Sequence, residues 1–294
     1  MDRTKRKDDA GPALLRLQPR KTNSHKGDYG RVLAVGGSPG MSGSITLTGV
    51  ASLRCGAGLT TIAAPKSLQP LIAQFEASCM TIGLSEDRNG QLPMHARAEI
   101  AKAARISDVV AVGPGLGRSH GLDLLIKDLY CDLTTPMVVD ADAINALGSR
   151  ENPLAAPGGP RVLTPHPGEF RRLAHNRELP KGRWTDVAAD MAKQNGVVLV
   201  LKGHRTTVTD GDHVYSNETG NPGMATAGAG DVLTGVIAAL LGQGIPAFEA
   251  AQLGVYLHGL AGDLAAKAIG SDGLIASDLL DYLEAAFQQH RRRR

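Results

Sequence analysis

Short β-branched runs repeatedly end in glycine-rich or polar turns and then give way to segments of helical spacing. This alternation limits the fold more than any single motif does. Val32 to Val35 runs into Gly36-Gly37-Ser38-Pro39-Gly40, after which Ile45 to Leu53 has helical spacing. Leu59 to Ala63 precedes a helix expected from about Ser67. Val109 to Val112 leads through Gly113-Pro114-Gly115-Leu116-Gly117 to a helix over Leu122 to Leu129. Met137 to Val139 is followed by Asp140-Ala141-Asp142-Ala143-Ile144-Asn145, and Arg161 to Leu163 by Thr164-Pro165-His166-Pro167-Gly168-Glu169 and a short helix. Strands joined through helices need right-handed crossovers, so the pattern predicts an α/β fold: a central, mainly parallel sheet with helices on both faces. Ligands in such folds bind at the carboxyl ends of strands, where each of these turns falls.

Val197 to Leu201, Thr206 to Thr209 and His213 to Tyr215 read as a local antiparallel meander that leads into Gly220 to Gly235, GNPGMATAGAGDVLTG. Helices are expected over Gly230 to Leu241, Ala247 to Ala268 and Ser277 to Gln288. The first starts where its free amides and dipole favour an anion. Asp231 sits there, placed either to cap the helix or to take a proton from an attacking hydroxyl. The minimal side chains of Gly228-Ala229-Gly230 favour the second reading, because a cap does not need them and close backbone approach to a ligand does.

Other stretches carry weaker signals. Gly36 to Gly40 is neither a GxGxxG fingerprint nor a Walker loop. Gly113 to Gly117 suits a tight strand-to-helix turn as well as an anion site. Lys202-Gly203-His204-Arg205-Thr206 has the makings of a hairpin turn, but its cation, hydroxyl and backbone donors also suit phosphate oxygens. His166 is held extended between Pro165 and Pro167, which favours ligand contact. Asp140, and less so Asp142, is placed to meet magnesium or substrate hydroxyls. Neither belongs to a full ligand set, so magnesium is expected to arrive with nucleotide phosphates.

Composition narrows the class. The net charge of +3 gathers at the two ends, and aromatics are 3% of the chain, which argues against nucleic-acid binding. Residues 1–24 and 289–294 read as solvated basic tails around one domain, 25–288. Cys55, Cys79 and Cys131 have no paired spacing, so neither a disulfide framework nor a zinc site is indicated and a reducing compartment is expected. With no 18-residue apolar run and no secretory leader, a cytoplasmic protein without a membrane partner is expected.

Together the motifs resemble the ribokinase-like superfamily, in which Gly-Ala-Gly-Asp supplies an anion hole and a base; Gly228-Ala229-Gly230-Asp231 matches it. Within that superfamily the chain is most similar to the ADP-dependent NAD(P)H-hydrate dehydratase family. The resemblance runs from His25 to about Gly262. It rests on His25-Lys26-Gly27-Asp28-Tyr29-Gly30, Gly56-Ala57-Gly58-Leu59, Gly113 to Gly117, Asp140 to Ala143 with Asn145, Thr164 to Glu169, Lys202-Gly203 and Gly220 to Gly235.

The resemblance implies dehydration of the S epimer of hydrated NADH and NADPH, with ADP converted to AMP and phosphate. It implies Asp231 as general base and Gly228, Ala229 and Gly230 as anion hole. It places Lys202, Gly203, His204, Arg205, Thr206 and Gly230 on the nucleotide, and Ser44, Gly115, Gly117, His166 and Asp231 on the hydrate. Asp140 and Asn145 are candidates for metal or substrate. ADP, Mg2+ and a homotetramer are implied as well. Alanine stands at 227 and 229 where the family commonly has glycine, or threonine at the second, and only modest adjustment is expected. The stretch before His25 leaves no room for the fused epimerase of many relatives, so a separate NAD(P)H-hydrate epimerase is the expected functional partner. A small-molecule kinase acting on a sugar, thiazole alcohol or pyridoxal would share Asp231 and the anion hole.

Overall fold

The computed structural model describes residues 13–175 and 182–292. Among them nine strands form one sheet: β1 (Arg31–Val35), β2 (Leu59–Pro65), β3 (Met80–Leu84), β4 (Val109–Val112), β5 (Met137–Val139), β6 (Arg161–Leu163), β7 (Val198–Leu201), β8 (Thr207–Thr209) and β9 (Val214–Ser216). Their order is β3-β2-β1-β4-β5-β6-β7-β8-β9. Pairing is parallel from β3 through β7, and antiparallel for β7 with β8 and β8 with β9. The helices are α1 (Ser42–Arg54), α2 (Gln69–Ile72), α3 (Arg97–Ala104), α4 (His120–Asp132), α5 (Ala141–Leu147), α6 (Pro167–Leu173), α7 (Trp184–Asn195), α8 (Ala229–Gly242), α9 (Ala247–Ile269) and α10 (Ala276–Arg292).

Strand periodicity divides the core in two. Val109 and Ala111 of β4 join Val32, Val138 and Val162 beneath α8, α9 and α10, while Val110 and Val112 face the opposite layer of α3 to α7. Successive side chains of one strand point to opposite faces, so a strand covered on both sides must be apolar throughout, as Val109-Val110-Ala111-Val112 is. The chain winds one way from β1 to β3 and the other way from β4, so the strand order reverses between β1 and β4. There Gly37 N–H donates to the Pro114 carbonyl at 2.9 Å, joining the two glycine turns over the crevice.

The expected mainly parallel sheet, the meander and the three closing helices are present. The helix expected from about Ser67 is instead a 3-10 turn, Lys66–Leu68, followed by the single turn α2. The edge strand β3 and helices α3 and α7 had no expectation attached to them. The tail boundaries need correction. Helix α10 runs through 289 to Arg292, because Ala286, Phe287 and His290 continue its buried face; His290 Nε2 lies 2.9 Å from the Leu15 carbonyl. Leu14 and Leu17 pack against the same core, and Arg20 stacks 3.9 Å over Tyr29 while donating to the Gly56 carbonyl. Residues 13–24 are therefore seated on the domain; the rest of both expected tails, 1–12 and 293–294, lies outside the described residues.

Candidate functional site

Helix α8 opens on Gly228, whose φ of 91° is the left-handed conformation that favours glycine. A Cβ there would also come within 2.7 Å of Leu47 Cδ1. No side chain caps the helix, which leaves the amides of Gly230 and Asp231 without intrahelical acceptors. Asp231 is the third helical residue and is not the N-cap. Its main-chain carbonyl accepts from Thr48 Oγ1 at 3.0 Å, and Ser44, one turn earlier on α1, faces its carboxylate. Burial first, and then the charge of Asp140, push the Asp231 carboxyl up to about 7; Ser44 and Lys202 pull the other way. A carboxylate that changes protonation near neutrality is suited to exchange a proton with a hydroxyl.

Behind it lies a packed charge cluster. Lys202, leaving the end of β7, donates from Nζ to Asp140 Oδ1 at 2.7 Å and stands 4.0 Å from Glu169 Oε2. The other Asp140 oxygen accepts from Thr234 Oγ1 at 2.7 Å. Burial opposes the Lys202 charge, but Asp140, Glu169 and Asp231 together outweigh it and hold the ammonium above its ordinary range. Glu169, also buried, is pushed up to about 7 by loss of solvent, with Lys202 opposing and Asp140 reinforcing. Gly230 makes room for this pair, since a Cβ there would sit 3.2 Å from Lys202 Nζ.

The structure gives the expected site residues further partners. Lys202, expected at the nucleotide, also holds two carboxylates, because the end of β7 delivers it between them. Asp140, a candidate metal ligand, has both oxygens engaged, and the Asn145 Oδ1 accepts from Arg172 at 2.7 Å. These residues do not fit a magnesium site, and among the described residues no group of three His, Cys, Asp or Glu is placed to hold a metal. The Asp142 Oδ2 accepts from Gly117 N–H at 2.9 Å and holds the Gly113 to Gly117 turn. Ala141, at φ 49°, turns the neighbouring carboxylates apart, one to each part of the site. His166 is the N-cap of α6: Nδ1 accepts from Gly168 N–H at 2.9 Å, and Glu169 Oε2 accepts from His166 N–H at 2.8 Å. That leaves the imidazole proton on Nε2, 3.3 Å from Glu169 Oε1. Burial and then Lys202 and Arg172 lower the His166 pKa, so the ring is neutral at physiological pH.

A cavity of about 1030 Å³ opens at the first turn of α8, where Ala229 and Gly230, next to Asp231 in the chain, line it. It is lined by the hairpin Lys202 to Thr206 with His166, by residues 217–222 and 224–226, which join the hairpin where Asn217 N–H donates to the Thr206 carbonyl at 2.9 Å, and by Gly230, Leu233 and His258. The expected nucleotide residues Lys202, Gly203, His204, Arg205, Thr206 and Gly230 thus share one cavity. Ser44, Gly115 and Gly117 belong to a different side of Asp231. A Cβ at Gly115 would come within 3.1 Å of Ser44 Cβ, and one at Gly117 within 2.7 Å of Gln91 Nε2.

Sequence reasoning passed over Thr234, His258 and the charge role of Glu169. Thr234 had a signal, as a hydroxyl inside the apolar run Val232 to Leu241. Glu169 stands three residues after His166, the spacing of a capping box. His258, 9% exposed within the buried stretch 250–262 of α9, offered none; burial drives its pKa down to about 4.

A mainly parallel sheet that switches direction beside two glycine turns, with an uncapped helix and an acid at its start, is the ribokinase-like fold. The chain belongs to the NAD(P)H-hydrate dehydratase family, whose model matches residues 32–285. It is 48% identical over 270 residues to the bifunctional NAD(P)H-hydrate repair enzyme of Moorella thermoacetica, covering 91% of this chain and 51% of that protein. It is 34% identical to the ADP-dependent (S)-NAD(P)H-hydrate dehydratase of Xanthomonas campestris, covering 91% of each. The chain spans about half the length of the bifunctional relatives it matches. Among solved structures it is similar to the ADP/ATP-dependent NAD(P)H-hydrate dehydratase of Bacillus subtilis co-crystallised with ATP/Mg2+, with TM-score 0.78, 30% identity and coverage of 94% and 95%.

Proposed function

We propose that this chain dehydrates the S epimer of hydrated NADH and NADPH at the expense of ADP, releasing AMP and phosphate. The observation that carries the reading is Asp231, a carboxylate pushed up to about 7 in the uncapped first turn of α8, where Ala229 and Gly230 line a cavity large enough for a nucleotide. The names of the Xanthomonas and Bacillus relatives support the choice of substrate over a sugar, thiazole alcohol or pyridoxal.

Asp231 takes the proton of the ring hydroxyl as that oxygen attacks the terminal phosphorus of ADP, and the phosphorus–oxygen bond to AMP breaks. The amides of Gly230 and Asp231, with Ala229 beside them, steady the charge on the transferring phosphoryl group. The ring nitrogen's electron pair then expels phosphate, and the adjacent ring carbon loses a proton to restore the dihydronicotinamide. Arg205, Thr206 and main-chain donors of the hairpin meet the nucleotide, while Ser44, Gly115 and Gly117 meet the hydrate. Lys202 acts from beneath, by holding Asp140 and Glu169.

The same reading includes magnesium carried by the nucleotide phosphates, a homotetramer in the cytoplasm and an NAD(P)H-hydrate epimerase as functional partner. Incubation of purified protein with authentic hydrate and a panel of nucleotides tests it. Recovery of NADH absorbance with ADP, and AMP formed in equal amount, is the expected result. Stable phosphorylation of an alcohol with the hydrate left untouched would overturn it in favour of a kinase.

A further inference from the structure

The cavity wall from Asn217 to Thr226 has little regular structure of its own, a 3-10 turn at Pro222–Met224 apart. It takes its shape from one stripe of α9. Tyr256, Gly259, Gly262 and Asp263 recur at helical spacing on that stripe. Thr219 Oγ1 donates to the Tyr256 carbonyl at 2.9 Å. A Cβ on Gly259 would overlap Thr219 Oγ1, and one on Gly262 would overlap Met224 Sδ, so both glycines let the wall lie directly on the helix. The stripe ends in a two-point clasp. Asp263 Oδ2 accepts from Gly220 N–H at 2.9 Å, and its Oδ1 accepts from Asn221 Nδ2 at 3.1 Å. The Asn221 side chain is fixed from its other end, where its Oδ1 accepts from Gly223 N–H at 3.0 Å and caps the 3-10 turn.

We infer that Asp263 is a positioning residue for the nucleotide: through Gly220 and Asn221 it sets the stretch that lines the same cavity as the Lys202 to Thr206 hairpin. The inference rests on the reading of the cavity as the ADP site. A charged acceptor that serves two consecutive residues fixes both the direction and the depth of the loop, and Gly220, at φ 105°, supplies the turn that brings its amide round. Without the clasp the wall has several competing shapes, and ADP must select the fitting one at the expense of affinity.

The orientation of Asn221 gives a test by exchange. In Asp263→Asn the amide oxygen still accepts from Gly220, but its amino group meets the amino group of Asn221, which is unable to flip without surrendering Gly223. In Asn221→Asp two carboxylates face each other. In the double variant, N221D with D263N, the amide introduced on α9 donates to the carboxylate introduced on the loop, while Gly220 and Gly223 keep their acceptors. ADP affinity by titration calorimetry, the KM for hydrate, and circular dichroism with melting curves are measured on all four proteins. Each single variant is expected to bind ADP about tenfold more weakly, with a smaller change in the hydrate KM, and the double variant to recover to within about threefold of wild type.

Single variants that are folded and bind ADP as the wild type does would overturn the inference, as would weak single variants that the double exchange fails to rescue. Equal loss for ADP and hydrate together with a lowered melting temperature would reduce Asp263 to a structural residue. A wild-type protein that does not bind ADP would instead overturn the nucleotide reading itself, whatever the variants do.

Discussion

The two flanks of Asp231 are built on opposite principles. On one side lies an open cavity of about 1030 Å³ whose walls are a hairpin and a loop laid on α9. On the other, Asp140, Lys202, Glu169 and Thr234 close into a cluster in which Asp140 is 1% exposed and both its oxygens accept hydrogen bonds. The cavity offers amides and long polar side chains to a ligand that brings its own charge. The cluster reaches the cavity only through Lys202, and it sets the charge state of the acid between them. A binding surface must stay unsatisfied until its ligand arrives, whereas a group that tunes a pKa must be satisfied beforehand.

The largest expected effect tests the acid at the boundary. Asp231→Asn should lower turnover by about 100-fold or more through loss of the general base, while ADP binding by calorimetry stays close to wild type. Near-normal turnover would make Asp231 only an acid in the first turn of α8, and the two flanks would no longer meet at a reacting group.

Next in size is a variant that separates cluster from cavity. Lys202→Met removes the cation from between Asp140 and Glu169 and leaves buried carboxylates without a counter-charge, a change expected to cost about 3–5 kcal/mol in denaturant unfolding. The ADP affinity of the fraction that remains folded should fall less than it does in Arg205→Ala. The opposite ranking, with little loss of stability and a large loss of ADP affinity, would make contact with the nucleotide, and not the pairing of carboxylates, the main role of Lys202.

The cluster and the cavity also differ in how far the sequence reveals them. The turns at Gly36, Gly113, Asp140 and Thr164 are legible because glycine, proline and short polar side chains at strand ends are local signals, and the fold follows from their alternation. Asp231 is legible for the same reason. The Lys202–Asp140 pair spans 62 positions and the Asp263–Gly220 clasp 43, and no local spacing encodes either one. The neighbours of Lys202 in the chain therefore suggest a phosphate-binding hairpin, whereas its neighbours in space are carboxylates. His166 carries two local signals: its capping box with Glu169 is written in adjacent residues, and the flanking prolines point to ligand contact, in keeping with its place in the cavity lining.

The smallest effect is the most direct measure of the tension between the flanks. The Asp231 carboxyl is raised by burial and by Asp140 from 3.8 to about 7, so in the folded protein it holds its proton more tightly than in the unfolded chain. A raised carboxyl contributes stability that is present in full below the unfolded value and lost as pH rises through the folded one. Between about pH 4 and pH 7 the unfolded chain releases this proton while the fold retains it, and above pH 7 the fold carries an ionised, largely buried acid. Asp231→Asn has no such proton to lose. Its melting temperature should therefore exceed that of the wild type by a margin that grows from pH 5 to pH 7 and levels off by pH 8, even as its turnover collapses. Differential scanning calorimetry across that range measures the margin. A constant offset would mean that the Asp231 charge is already compensated in the resting site, by Lys202 and Ser44, and that the cavity side alone holds the site in its reactive state.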